Sequence, residues 1–211
     1  MITYSLIGLT CLISFLAFQN ERLFTALALQ PSRIYSDRSK AYQMLSYGFV
    51  HADYQHLIFN MLSLFFFAPA IENTVFSSGE FIFLYVSALV VSAIPGYLKN
   101  KQNARYSAVG ASGAVSAVLF SCVLFMPWSV IYIKFIFPLY FILFALGYVI
   151  YSYVMGKRQS DNIGHDAHLW GALYGLVFTM LTHPAVIPYF IDQLQQGRFC
   201  GEILFCHASM Q

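Results

Sequence analysis

Four polar residues stand where the chain is otherwise apolar: His56, Asn60, Ser112 and His168. Polar groups inside bilayer-length apolar stretches are costly, and where they occur they are candidates for function. Ser112 lies in Gly110-Ala111-Ser112-Gly113, at the head of a run from Tyr106 to Ile133 without a charged residue. A serine hydroxyl becomes a nucleophile when a base takes its proton, and histidine is the commonest base. His168 is the candidate for that role. His56 and Asn60 are spaced i, i+4, so they share one helix face. Each residue also has a plainer reading. Ser112 could cap the helix it begins. The histidines could sit where loops meet a membrane surface, and Asn60 could tie helices together.

The elements that must position these residues follow from composition. The chain has 211 residues, 59% hydrophobic and 9% charged, with mean hydropathy +0.65; soluble domains carry about 25% charged residues. A net charge of +2 without a basic cluster excludes nucleic acid as a partner. Six uncharged or nearly uncharged stretches, near 2–19, 55–71, 81–98, 112–127, 135–155 and 168–182, read as spans. The first lacks a basic start and a cleavage site, so it reads as a retained helix rather than a signal peptide. In lipid such spans must satisfy their own backbones, which predicts an all-α membrane protein, a six-transmembrane-helix bundle forming one domain over 1–211. Residues 21–53 form a long amphipathic connection suited to short interfacial helices, and 192–211 read as a polar tail.

Small residues suggest how the spans meet. Gly171 and Gly175 follow His168 at i+3 and i+7, a stripe that admits a neighbouring helix at close range. Gly113 and Ala117 offer a matching face below Ser112. Parity adds a second constraint. With six spans, the loops after spans one, three and five lie on one side, and His56, Ser112 and His168 all stand at ends entered from that side. Convergence of independent polar groups at one depth weighs against the plain readings taken one by one.

At these residues the sequence resembles the rhomboid intramembrane serine proteases. Gly110-Ala111-Ser112-Gly113 matches the family's Gly-x-Ser-Gly motif. Ala167 to Gly175 matches its Ala-His-x-x-Gly-x-x-x-Gly helix, and His51 to Asn60 is similar to its His-x-x-x-x-His-x-x-x-Asn segment. The resemblance implies a Ser112–His168 dyad, with His56, Asn60 and the Ser112 backbone N–H as an oxyanion hole. It implies cleavage of a transmembrane protein substrate near the membrane boundary, with the lipid bilayer as partner, no cofactor and no metal. No carboxylate is required behind His168, and Asp166, two residues away, is expected to face elsewhere. A bacterial inner membrane is the expected location.

Two positions depart from the family pattern. Tyr42 and Gln43 stand where the family commonly has Trp-Arg. Ser116 stands where an aromatic residue often stacks on the histidine, so His168 must be held by another group, an aromatic among the candidates. Nine of the eleven Lys and Arg, all but Lys134 and Arg198, fall in the three loops on the catalytic side. The positive-inside bias would turn that side to the cytoplasm, whereas the resemblance turns it outward. Cys11 and Cys122 read as small hydrophobes in apolar spans; Cys200 and Cys206, beside His207, carry no assigned role. The rival reading from another class is a non-catalytic protein that binds transmembrane helices, or a transporter, using the same polar cluster.

Overall fold

A computed structural model of the chain describes residues 1–133, 136–158 and 164–196. Its elements in order are α1 (Ile2–Phe18), α2 (Glu21–Leu27), α3 (Pro31–Ser36), α4 (Gln43–Ser46), α5 (Tyr54–Glu72), α6 (Ser78–Asn100), α7 (Ser112–Phe125), β1 (Val130–Ile133), β2 (Phe137–Tyr140), α8 (Phe141–Arg158), α9 (His165–Thr182) and α10 (Val186–Gln196). Single 3-10 turns flank α4. The structure is mainly helical. Tyr54–Glu72 and Ser78–Asn100 are each long and apolar enough to cross a bilayer; His165–Thr182 and Val186–Gln195 qualify only as a pair bent by 112°. Ile2–Phe18 and Ser112–Phe125 are apolar but shorter. At 1.5 Å per residue α7 is about 21 Å long, less than the roughly 30 Å of a hydrocarbon core.

In α1, burial runs opposite to that of a helix in a water-soluble bundle. The buried residues of α1 are Thr3, Thr10, Ser14 and Ala17, while Leu9, Leu12, Phe15 and Leu16 lie on the outside. Large apolar side chains cover the exterior elsewhere too, Leu181 at 77% exposure and Phe83 at 63% being the extremes within α9 and α6. Bulky apolar residues on the outside, with small and hydroxylated residues of α1 turned in, is the arrangement expected where lipid is the solvent; the core itself holds large residues such as Phe81, Tyr85 and Phe141.

Local chemistry starts the helices. Asp53 accepts from the His56 N–H at 2.7 Å and begins α5. Ser77 and Glu80 form a reciprocal capping box at the head of α6. Glu72, at the end of α5, accepts from the backbone N–H groups of Ile2 and Thr3, so a carboxylate answers the free donors and the dipole of α1. α7 is wrapped by α5, α6 and α9, and all its residues from Gly113 to Leu124 are buried.

Three expected boundaries differ. The stretch read as a span from 135 does not begin as helix: Phe137–Tyr140 pairs antiparallel with Val130–Ile133, and α8 starts only at Phe141. The β-branched and aromatic residues of 130–133 favour strand, and Pro138 lacks the N–H that a helix interior needs. The stretch read as a span from 168 begins at His165, where Asp166 in the first turn suits the helix dipole. The first residues of the expected polar tail are helical: α10 reaches Gln196, with Val186, Ile187, Phe190, Ile191 and Leu194 at helical spacing. Cys200, Cys206 and His207 lie outside the described residues.

Candidate active site

Ser112 is the first residue of α7, and its hydroxyl does not cap the helix. Ser112 Oγ lies 2.8 Å from Nε2 of His168 on the first turn of α9. What allows this distance is the contact between the two helices. A Cβ added at Gly171 would lie 2.1 Å from the Gly113 carbonyl oxygen, and one at Gly175 would lie 2.1 Å from that of Ala117. Gly113 in turn meets Ser92 of α6, where an added Cβ would stand 2.1 Å from Oγ. Further along, Thr179 Oγ1 donates to Ser121 Oγ at 2.8 Å, and Ser121 donates to the Gly175 carbonyl at 3.2 Å. Buried hydroxyls thus tie α7 to α9 where hydrophobic attraction has no purchase in lipid.

The approach to Ser112 is shaped from the other side by α5 and the preceding loop. Gly110 has φ +112°, in the region that disfavours a side chain, and a Cβ there would lie 2.4 Å from Cε1 of His56. The His56 imidazole therefore rests on the backbone two residues before Ser112. Gly110 N–H donates to the Tyr47 carbonyl at 2.9 Å. Ala111 N–H donates to Nε2 of His51 at 3.4 Å, while Nδ1 of His51 is 2.9 Å from Ser14 Oγ of α1. Ser14 donates to the Phe49 carbonyl at 2.9 Å. One tautomer satisfies all three contacts: Nε2 accepts, Nδ1–H donates, and the serine passes its proton on. Burial, with His56 adding to it, pushes the His51 pKa down to about 3, which keeps the ring neutral for this relay. Asn60 is buried, and its Nδ2 donates to the His56 carbonyl at 3.0 Å. That bond holds its amide on the His56 side of α5.

Ser116, one turn below Ser112, is 2% exposed. Its hydroxyl donates to the Ser112 carbonyl at 2.7 Å and stands 2.6 Å from the hydroxyl of Tyr148 on α8. The Tyr148 ring stacks on His168 with centroids 6.0 Å apart and planes inclined by 29°. Asp166 points away from this group: its Oδ2 pairs with Lys99 at 3.3 Å, at the end of α6.

Sequence reasoning brought forward Ser112, His168, His56 and Asn60 and left three contributors without a role. Tyr148 lies in a span crowded with Phe and Tyr, where no single ring is marked. The available signal was Ser116, a hydroxyl deep in an apolar helix that needs a partner. His51 stood in a quoted motif, but its link to Ala111 crosses 60 residues. Ser14 carried only the weak signal of a hydroxyl in the first apolar stretch.

The arrangement can deprotonate a serine with a histidine beside hydrogen-bond donors at a helix N-terminus, which is the equipment of acyl transfer. Comparison with known proteins is consistent in direction. The chain is similar to the presenilin-associated rhomboid-like protein, mitochondrial, of Homo sapiens, 29% identical over 149 residues covering 68% of this chain and 38% of that one. It is similar to the YdcA rhomboid relative of Bacillus subtilis (strain 168), 38% identical over 77 residues, 36% of this chain and 37% of that one. It is also similar to RHOMBOID-like protein 12, mitochondrial, of Arabidopsis thaliana, 22% identical over 148 residues, 63% of this chain and 44% of that one. The matched stretch spans less than half of each of these relatives. The Rhomboid domain matches residues 38–185, which include Ser112, His168, His56 and Asn60; the chain is a membrane protein of the rhomboid family.

Proposed function

We propose that this protein is an intramembrane serine endopeptidase that cleaves transmembrane protein substrates near the membrane boundary. The observation that carries the reading is the 2.8 Å contact between Ser112 Oγ and His168 Nε2. In this reading Ser112 attacks the scissile carbonyl and forms an acyl-enzyme. His168 takes the serine proton and returns it to the leaving amine; it then activates water for deacylation. The Ser112 backbone N–H, His56 and Asn60 hold the oxyanion, and the dipole at the head of α7 adds partial positive charge there. No cofactor enters the scheme. The domain is one unit over 1–211, and its six apolar helices α1, α5, α6, α7, α8 and α9 are the six spans. The shortness of α7 supports a site below the membrane surface, reached by water from the side of the α1–α5 connection.

Orientation follows the family, with the site opening outward. The proposed location is a bacterial inner membrane; relatives named above come from a bacterium and, by name, from mitochondria.

The direct test is reaction of the detergent-solubilised protein with a fluorophosphonate probe. Wild type is expected to label, and Ser112→Ala and His168→Ala to lose labelling. Folded wild-type protein that fails to label, beside a working serine-hydrolase control, would instead favour a non-catalytic binder of transmembrane helices.

A further inference from the structure

The ring stacked face to face on His168 comes from neither of the helices that carry Ser112 and His168. That ring is Tyr148, on α8, and its two ends reach both members of the pair. The face of the ring stacks on His168. The hydroxyl is 2.6 Å from Ser116 Oγ, whose own proton goes to the Ser112 carbonyl at 2.7 Å. Since the Ser116 proton is committed to a carbonyl, the tyrosine is the donor of the pair, and the chain runs Tyr148 O–H to Ser116 Oγ–H to Ser112 C=O. Phe120 and Phe144 pack on the same ring, with centroids 5.6 Å and 5.7 Å away. One helical turn on, Tyr151 meets His165 edge to face at 5.4 Å, and His165 meets His168 at 5.9 Å. An apolar groove of about 390 Å³ lies among α7, α8, α9 and α10, lined by Phe120, Val123, Ala145, Val149, Leu176 and Ile191.

We infer that Tyr148 is the positioning residue for His168, and that the Ser116 hydroxyl sets the depth and tilt of the tyrosine ring. The inference rests on the protease reading given above. Its physical basis is the sensitivity of proton transfer to geometry. An imidazole free to rotate about χ1 and χ2 loses the 2.8 Å contact for much of its time, and a flat ring stacked on one face removes that freedom. A serine at position 116 is too short to reach the histidine itself. It serves by anchoring an aromatic from the next helix. The consequence is that the base is held by α8, so the seating of α8 governs how often the serine and histidine are engaged.

The test compares Tyr148→Leu, Tyr148→Phe, Ser116→Ala and the Tyr148→Phe/Ser116→Ala double variant with wild type and Ser112→Ala. The readouts are the rate of fluorophosphonate labelling, its pH profile, and kcat and KM on a cleavable transmembrane peptide in micelles. Tyr148→Leu is expected to lower kcat and labelling about 100-fold, the scale of an ångström misplacement of a reacting group, with KM within about twofold of wild type. Tyr148→Phe keeps the ring and is expected to restore most of that loss, remaining about fivefold below wild type, the scale of one neutral hydrogen bond. Ser116→Ala loses the same bond and also the one to the Ser112 carbonyl, so it should fall at or below Tyr148→Phe, and the double variant should fall no lower than Ser116→Ala, in which the Tyr148–Ser116 bond is already gone. Labelling and kcat of Tyr148→Leu at wild-type rate would overturn the inference. So would independent, multiplying losses in the double variant, which stays informative if the leucine protein does not fold. Failure of the underlying protease reading shows elsewhere, as wild-type labelling that survives Ser112→Ala or is absent altogether.

Discussion

Gly110 and His51 show how much of this site is backbone placement. The residue before Ala111-Ser112 adopts φ +112° and has His56 against its Cα. Gly110→Ala is therefore expected to cost about 1–3 kcal/mol from the backbone conformation alone, and to push His56 out of place. A lowered thermal midpoint in detergent, together with a labelling rate that falls further than stability explains, would be the signature; a fully active, equally stable variant would contradict it. His51 titrates with its pKa pushed down to about 3 in the folded protein, against an ordinary value near 6.5. Below pH 6.5 the unfolded chain binds a proton that the folded chain refuses. Stability is therefore intact above about pH 6.5 and declines as pH falls toward 3. His51→Asn, which lacks that proton uptake, should flatten the decline when thermal midpoints are measured across this range. An unchanged slope would show that His51 is not buried neutral. At this scale the sequence made Ser112, His168, His56 and Asn60 visible because polar atoms stand out in apolar runs. Tyr148 was not visible, because an aromatic in an aromatic-rich span is defined only by its neighbours.

Helix packing decides whether the serine and histidine meet. α7 and α9 approach so closely that Gly171 and Gly175 face backbone, not flexible side chains. Gly171→Ala would place a methyl 2.1 Å from the Gly113 carbonyl oxygen, and the helices must part to admit it. A loss of about 1–3 kcal/mol or more is expected, with labelling of Ser112 reduced at temperatures where the variant remains folded. Gly147→Ala on α8 is the matched control: an added Cβ there meets nothing within 4 Å. In a helix interior that exchange should stabilise by about 0.5–1 kcal/mol. Comparing the two midpoints separates close packing from simple helix propensity, and equal behaviour would refute the packing argument. The glycine spacing was legible in sequence. The pairing of Val130–Ile133 with Phe137–Tyr140 was less so, since apolar strands and apolar helices of this length share a composition, and pairing partners rather than periodicity separate them.

At the scale of the whole molecule, membrane topology decides which way the site faces. The excess of Lys and Arg in the loops beside Ser112 and His168 argues for the cytoplasm, while the proposed orientation turns them outward. Several of these cations are engaged: Arg38 donates to Tyr97 at 2.9 Å and lies over Tyr35, Lys101 lies over the same ring, and Lys99 pairs with Asp166. Alkaline phosphatase fused after Lys101 is expected to be active in a bacterial host, and a fusion at the C-terminus inactive, as an even number of spans requires with the N-terminus inside. The reverse pattern would establish the charge rule over the proposed orientation.

The sequence by itself determined the solvent and the family. So few charges over so many apolar residues demand lipid and internal backbone pairing, and Gly-x-Ser-Gly, the His168 helix and the His56–Asn60 pair belong to the rhomboid family by type and order. Only the tertiary structure decided what holds those groups in register. The contacts of Ser116 with Tyr148, of Tyr148 with His168, and of His51 with Ser14 and Ala111 join residues 20 to 60 positions apart. Such contacts leave no periodic trace in the chain, because a hydrogen bond or a stacked ring depends on where two helices cross, and that crossing is set by the packing of small residues along their whole length.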